Sequence, residues 1–287
     1  MIITDSNFVK TTLPEIPGEA NKFTRGRLLL AVGSFGMAGA AVMAVRAALR
    51  TGAGFTDLAV PARLYPVIAA AVPESVVTVY DEADPVRMEE VLAAALEKAN
   101  AVVMGCGFGK LREAVCTAVL RNARVPMVLD ADALNAMALQ EDLRPLCPER
   151  TVLTPHEGEM ARLLHVTSPE VRADREGSIR KAREIYGTNV LLKGPGTLIL
   201  DASGAAMYEN PTVNAGMARA GSGDVLAGII GALMAQGADP FRAAVSGAYL
   251  HGLAGDLAAE RFGIRSMLPT DLIECIPEAL RRIGEEI

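Results

Sequence analysis

A chain of 287 residues, 51% of them hydrophobic, can bury a large core, and its net charge of −6 comes without a run of lysine and arginine. This balance argues against nucleic acid as the main partner, because neutralising phosphates needs a basic face. It leaves room for a local positive pocket that takes a small phosphorylated ligand.

Residues 1–23 lack the basic segment and apolar core of a secretory signal. No apolar run reaches the ~18 residues of a membrane span without a glycine or a charge interrupting it. A cytoplasmic protein with no membrane partner is expected. In chain order, short apolar runs predict strands at 28–32, 55–60, 76–80, 101–104, 127–129, 151–153 and 190–192. Helical patterns fall between most of them, at 39–50, 85–99, 111–121, 134–138, 157–164 and 178–186. This alternation predicts βαβ units, an α/β class, and a mainly parallel sheet with helices on both faces. Asp84-Pro85, Ser168-Pro169 and Asp239-Pro240 each read as an N-cap followed by proline at the first helical position.

After residue 192 the rhythm changes. Runs at 197–201 and 205–209 flank an Asp-Ala-Ser-Gly turn and predict a β-hairpin. Three helices follow, at 223–236, 240–261 and 270–283, the first stopped by Gly237. With no repeat, low-complexity segment or linker, residues 1–287 read as one domain. Cys106, Cys116, Cys147 and Cys275 have no CxxC spacing and read as free thiols of a reducing compartment.

In an open parallel sheet, ligands sit beyond the carboxyl ends of the strands. Five predicted strands run there into glycine or polar clusters: GSFGMAGAA, GCGFGK, DADALN, TPHEGE and KGPGT. Two familiar motifs fail. Gly33, Gly36 and Gly39 are spaced GxxGxxG rather than GxGxxG, and Leu111 stands where a Walker loop needs serine or threonine.

The segment NAGMARAGSGDVLAGIIGALMAQG, residues 214–237, places Gly216, Gly221, Gly223 and Asp224 before an apolar helix. Such glycines let backbone N–H groups converge where the helix dipole favours an anion. Ala220, Gly221, Ser222 and Gly223 would form an anion hole, and Asp224 would accept a proton from a hydroxyl attacking a bound phosphoryl group. Taken alone, Asp224 is equally an acid of the first turn that complements the dipole. The glycines flanking Ser222 tip the reading, since each costs ~1 kcal/mol against alanine inside a helix.

In order and spacing, GSFGMAGAAVMAVRAALRTGAG, LDADALN, LTPHEGE, VLLKGPGT and the 214–237 segment resemble the ADP/ATP-dependent NAD(P)H-hydrate dehydratases of the ribokinase-like superfamily. The likeness runs from about residue 28 to 256. The glycine–aspartate motif indicates only the superfamily, and TPHEGE with KGPGT narrows it to the dehydratases. The resemblance implies a ribokinase-like fold and a repair reaction. The (6S) hydrate NAD(P)HX is phosphorylated on its ring hydroxyl by a nucleotide, and phosphate then leaves to restore NAD(P)H. It implies ADP as co-substrate with AMP released, ATP as the other candidate nucleotide, Mg²⁺, and a homo-oligomer, in particular a tetramer. A stand-alone dehydratase is expected, since the chain lacks room for the epimerase domain that some members carry.

By the same resemblance, Lys193, Gly194, Pro195, Gly196 and Thr197 would hold the adenine nucleotide, with Gly221, Ser222 and Gly223 at its phosphate. Asp224 would touch the hydrated nicotinamide and serve as base, and Ala40, Gly107 and His156 would line the NAD(P)HX pocket. Glu159, in the loop of His156, would orient Mg²⁺ through water. Asp130 and Asp132 would assist or cap the next helix, while His165 and His251 read as structural. Cys106 and Phe108 stand where the family often has proline and leucine, and Arg219 and Ala220 replace small residues or glycine. Arg219 would either add a phosphate contact or narrow the pocket. The same motifs leave two alternatives: a ribokinase-like kinase of a hydroxymethyl-pyrimidine or thiazole precursor, and a nucleotide-binding regulator without catalysis.

Overall fold

The computed structural model describes residues 1–16 and 18–284. Its first elements are β1 (Ile2–Ile3), α1 (Ser6–Thr12), β2 (Arg27–Ala31), α2 (Ala38–Arg50), β3 (Phe55–Pro61), α3 (Tyr65–Ala71) and β4 (Val76–Tyr80). Then come α4 (Pro85–Leu96), β5 (Ala101–Met104), α5 (Arg112–Asn122), β6 (Met127–Leu129), α6 (Asp132–Leu139), β7 (Thr151–Leu153) and α7 (Glu157–Leu164). The last third holds α8 (Ser168–Ala173), α9 (Arg175–Tyr186), β8 (Asn189–Leu192), β9 (Thr197–Leu200) and β10 (Met207–Asn210). Three long helices close it: α10 (Ser222–Ala235), α11 (Pro240–Phe262) and α12 (Pro269–Ile283).

Ten strands form one sheet in the order β1-β10-β9-β8-β7-β6-β5-β2-β3-β4. β9 is antiparallel to β8 and β10, and the other neighbouring pairs are parallel. The chain builds β2, β3 and β4 outward, then returns to place β5 on the other side of β2. That reversal is the switch point where α/β sheets open a crevice. Burial on both faces explains the continuous apolar runs. Leu28 and Leu30 join a core with α2, α10, α11 and α12, while Leu29 and Ala31 point to the other face and the core under α4 to α9.

Helix α10 is buried from Val225 to Ala235 and packs between α2 and the sheet. A Cβ on Gly228 would come within 2.2 Å of the Ala44 carbonyl oxygen, and one on Gly231 within 2.2 Å of Val103. The glycines therefore set how deeply α10 is seated.

Asp84 and Asp239 cap their helices as expected, each accepting backbone N–H bonds. Ser168 does not: Thr167 is the N-cap of α8, because its capping box with Glu170 satisfies two backbone donors where Ser168 satisfies none. The hairpin strands are shorter than expected, since Asp201 accepts the Ala206 N–H at 2.8 Å and draws residues 201–206 into the turn. The sequence patterns also missed β1, α1 and α3.

Candidate active site

The five strands whose carboxyl ends carry glycine or polar clusters prove to be contiguous, in the order β8-β7-β6-β5-β2, and mutually parallel. Their loops therefore line one edge of the sheet, and the N-terminus of α10 lies across it. At the centre is Asp130, 2% exposed at the end of β6. Its Oδ1 accepts from Lys193 Nζ at 2.7 Å and from Thr154 Oγ1 at 2.8 Å. Lys193 also lies 3.6 Å from Glu159. Burial disfavours the ammonium charge, but Asp130 and Glu159 outweigh it and hold the Lys193 pKa above the ordinary lysine value.

Asp224 is in the first turn of α10. Burial, reinforced by the negative charge of Asp130, pushes its carboxyl up to about 6. An acid poised there is ionised at neutral pH and still basic enough to accept a proton. Cys106 lies beside both carboxyls and is fully buried, and burial followed by those two charges raises its pKa. It therefore stays a thiol and donates to Asp130 Oδ2 at 3.7 Å.

Gly221 is the N-cap of α10 with φ of 101°, a left-handed conformation. It is required by backbone geometry and lies outside the helix, which corrects the expectation that both glycines burden the helix interior. The anion hole is also narrower than the sequence implies. The Ser222 N–H donates to the Arg219 carbonyl at 3.2 Å, leaving Gly223 and Asp224 as the first-turn amides without an intrahelical partner. His251, buried in α11, has its pKa pushed down to about 4 by burial and is neutral. Its Nε2–H donates to the Ser222 carbonyl at 3.0 Å, with Ser222 Oγ at 3.2 Å, and so fixes the start of α10.

A cavity of about 920 Å³ opens beside this edge. Lys193, Gly194, Pro195 and Thr197 line one wall and Ser222 and Gly223 another, with His156, Arg172, Thr212, Arg219 and His251 among the remaining lining residues. The β8–β9 turn is held from beneath by Arg175, which sequence patterns did not single out. Its guanidinium donates to the carbonyls of Leu192, Lys193 and Gly196 at 3.2–3.5 Å. Gly194 has φ of 139°, and a Cβ there would lie 2.8 Å from Arg175 Nη1, so only glycine suits the position. Arg175 lies 17 to 21 residues before these partners and carries no local signal.

The expected site residues thus separate into two groups. Most of the nucleotide set meets at the cavity, with Gly196 behind the turn and Gly221 behind the helix start. Ala40 and Gly107 are neighbours at the switch point, a Cβ on Gly107 falling 3.0 Å from Ala40 Cβ, but neither lines the cavity. They connect to it through Cys106, Asp130 and Lys193. His156 lies with the nucleotide set. It is the N-cap of α7, its Nδ1 accepting from the N–H of Gly158 and Glu159 while Glu159 Oε2 accepts from the His156 N–H at 2.8 Å. Asp132 accepts the Gly109 N–H at 2.8 Å and so ties two loops together. It does not cap α6, whose N-cap is Ala131. His165 ends α7 in a left-handed conformation, a structural place, whereas His251 is on the cavity wall.

Cys106, Asp130 and Asp224 bring ligand atoms within 4.8 Å of one another. A protonated thiol and a carboxylate already paired with Lys193 are poor partners for a hard cation. Glu159 fits better: among the described residues its Oε1 has only the long 3.4 Å approach of His156 Nε2, and it keeps lone pairs for a water-bridged Mg²⁺.

A mainly parallel sheet covered on both faces, with a glycine-preceded helix presenting an aspartate over its strand ends, defines a ribokinase-like fold. The family model described as NAD(P)H-hydrate dehydratase matches residues 28–278, and the chain belongs to that family. It is 41% identical over 260 residues to the ADP-dependent (S)-NAD(P)H-hydrate dehydratase of Neisseria meningitidis, covering 87% of this chain and 83% of that protein. It is also 41% identical to a bifunctional NAD(P)H-hydrate repair enzyme of Moorella thermoacetica, covering 97% of this chain but 53% of that one. The chain thus spans about half the length of that bifunctional relative. Among solved structures, the ADP/ATP-dependent NAD(P)H-hydrate dehydratase of Bacillus subtilis, co-crystallised with ATP/Mg²⁺, superposes with a TM-score of 0.83 at 29% identity, covering 99% of both chains.

Proposed function

We propose that this chain, as a single ribokinase-like domain, is an ADP-dependent (S)-NAD(P)H-hydrate dehydratase. The observation that carries the reading is the placement of Asp224. A carboxyl with a pKa of about 6 stands in the first turn of a helix, next to Gly223 and Lys193, which line a cavity of about 920 Å³ that Asp224 itself does not line. In this reading the nucleotide occupies the cavity. The β8–β9 turn and Lys193 hold its phosphates, and the Gly223 and Asp224 amides orient the phosphoryl group to be transferred. The hydrated nicotinamide enters at the switch point, past Ala40 and Gly107.

Asp224 takes the proton of the ring hydroxyl as its oxygen attacks phosphorus, and the bond from phosphorus to AMP breaks. The C–O bond of the phosphorylated ring then cleaves, phosphate leaves, and loss of a neighbouring ring proton restores NAD(P)H. Hydroxide is a poor leaving group and phosphate a good one, so the nucleotide makes the dehydration feasible. Mg²⁺, carried by the phosphates and oriented through water by Glu159, supplies positive charge that offsets theirs. No helix among the described residues is long and apolar enough to cross a membrane. A cytoplasmic location and a homo-oligomeric, tetrameric assembly complete the proposal.

The test supplies NADPHX with ADP or ATP and Mg²⁺ and follows nicotinamide absorbance together with inorganic phosphate. NADPH recovery matched by phosphate release, and lost by at least about a hundredfold in Asp224→Asn, is expected. Accumulation of a phosphorylated product from a hydroxylated vitamin precursor, without phosphate release, would instead mark the kinase alternative.

A further inference from the structure

The cations on the cavity wall are not equivalent. Lys193 is paired with Asp130 at 2.7 Å, and Arg172 with Glu157 at 2.8 Å. Arg219 also lines the cavity, yet among the described residues no carboxylate pairs with it. One guanidinium N–H donates to the Arg265 carbonyl, which leaves its charge uncompensated and most of its donors unused. Its backbone is fixed to the helix start: the Arg219 N–H donates to the Met217 carbonyl at 2.8 Å, and the Arg219 carbonyl accepts the Ser222 N–H. The side chain is thus rooted one turn before the amides of Gly223 and Asp224, where the helix dipole already favours an anion. An unpaired arginine there adds net positive charge to a cavity whose other cations are largely neutralised by their partners.

We propose that Arg219 is a phosphate-binding residue of this chain, a guanidinium at the cavity mouth that contacts a phosphate of the bound adenine nucleotide. The inference rests on the cavity being the nucleotide site. It resolves the two options that the sequence leaves for this position in favour of an added contact. The fork of a guanidinium suits phosphate oxygens, and the Arg265 carbonyl holds it near the mouth without cancelling its charge.

The test is direct binding of ADP, and of adenosine as the phosphate-free control, by calorimetry at low and high salt. It needs no turnover, so its failure is separate from failure of the NADPHX assay. Arg219→Gln keeps a donor for the Arg265 carbonyl but removes the charge. It is expected to weaken ADP about tenfold at low salt, the size of one charge-assisted hydrogen bond, and to leave adenosine unchanged. The deficit shrinks at high salt, where an exposed charge is screened. Arg219→Lys is expected to recover part of the affinity. Unchanged ADP affinity in Arg219→Gln, or an equal loss for ADP and adenosine, would overturn the proposal and leave Arg219 as a staple of the loop carrying Arg265.

Discussion

In the proposed reaction, Asp224 serves chemistry at the expense of stability. Its pKa is about 6, against an ordinary value of 3.8. Between these values the folded protein keeps a proton that the unfolded chain has released, so stability falls as pH rises through that window, and the full penalty stands above pH 6. Asp224→Asn is therefore expected to be more stable than wild type at pH 7 by about 1–3 kcal/mol. That gain disappears near pH 4, as denaturant unfolding at both pH values would register. The same group sets the rate profile: kcat/KM is expected to fall tenfold per pH unit below about 6, and a flat profile would remove Asp224 as base. Asp224, Lys193 and the KGPGT run were legible because they stand in compact motifs. Arg175 and His251 were not, since each acts on backbone atoms far away in sequence and lies in an unremarkable helical context.

Among the elements, β2 to β9 were placed within one residue by their apolar runs, as expected for a sheet buried on both faces, whereas β10 starts two residues later than its run predicts. The short pieces β1, α1 and α3 escaped because two to seven residues carry too little periodicity to be seen. Sequence reading assigned Gly216, Gly221 and Gly223 to the site and Gly237 to the helix end, and left Gly228 and Gly231 unread; within α10 these two serve packing. Gly228→Ala gains ~1 kcal/mol of helix propensity but drives a methyl into the Ala44 carbonyl, so a net loss of about 1–3 kcal/mol is expected. Gly39, with nothing within 4 Å of its built Cβ, is the control, and Gly39→Ala is expected to be neutral or slightly stabilising. Denaturant midpoints for the two variants check this, and equal midpoints would mean that α10 sits less tightly than described.

For the molecule as a whole, the site exists only because five loops separated by up to 160 residues converge on one sheet edge. Sequence order gave the loops, but that β2 is flanked by β3 and β5 is a property of topology. A nucleotide seated in the cavity as proposed would touch the ends of β7 and β8 and the start of α10 together, so ADP alone is expected to raise the melting temperature. At a hundredfold excess over Kd the gain is about 2.7 kcal/mol, or several degrees. An unmoved melting curve with ADP would count against the cavity as nucleotide site.

Strand β1 pairs Ile2 with Tyr208 and Ile3 with Glu209, and α1 rests on α11 and α12. During synthesis at about 5–20 residues per second, this segment waits some 10–40 s before its partner strand has even been made. It is the earliest of these elements to be translated and among the last able to dock. Nascent chains halted before residue 207 therefore carry Ile2, Ile3 and the Val9 face of α1 without their native partners, a stretch left open to a ribosome-associated chaperone.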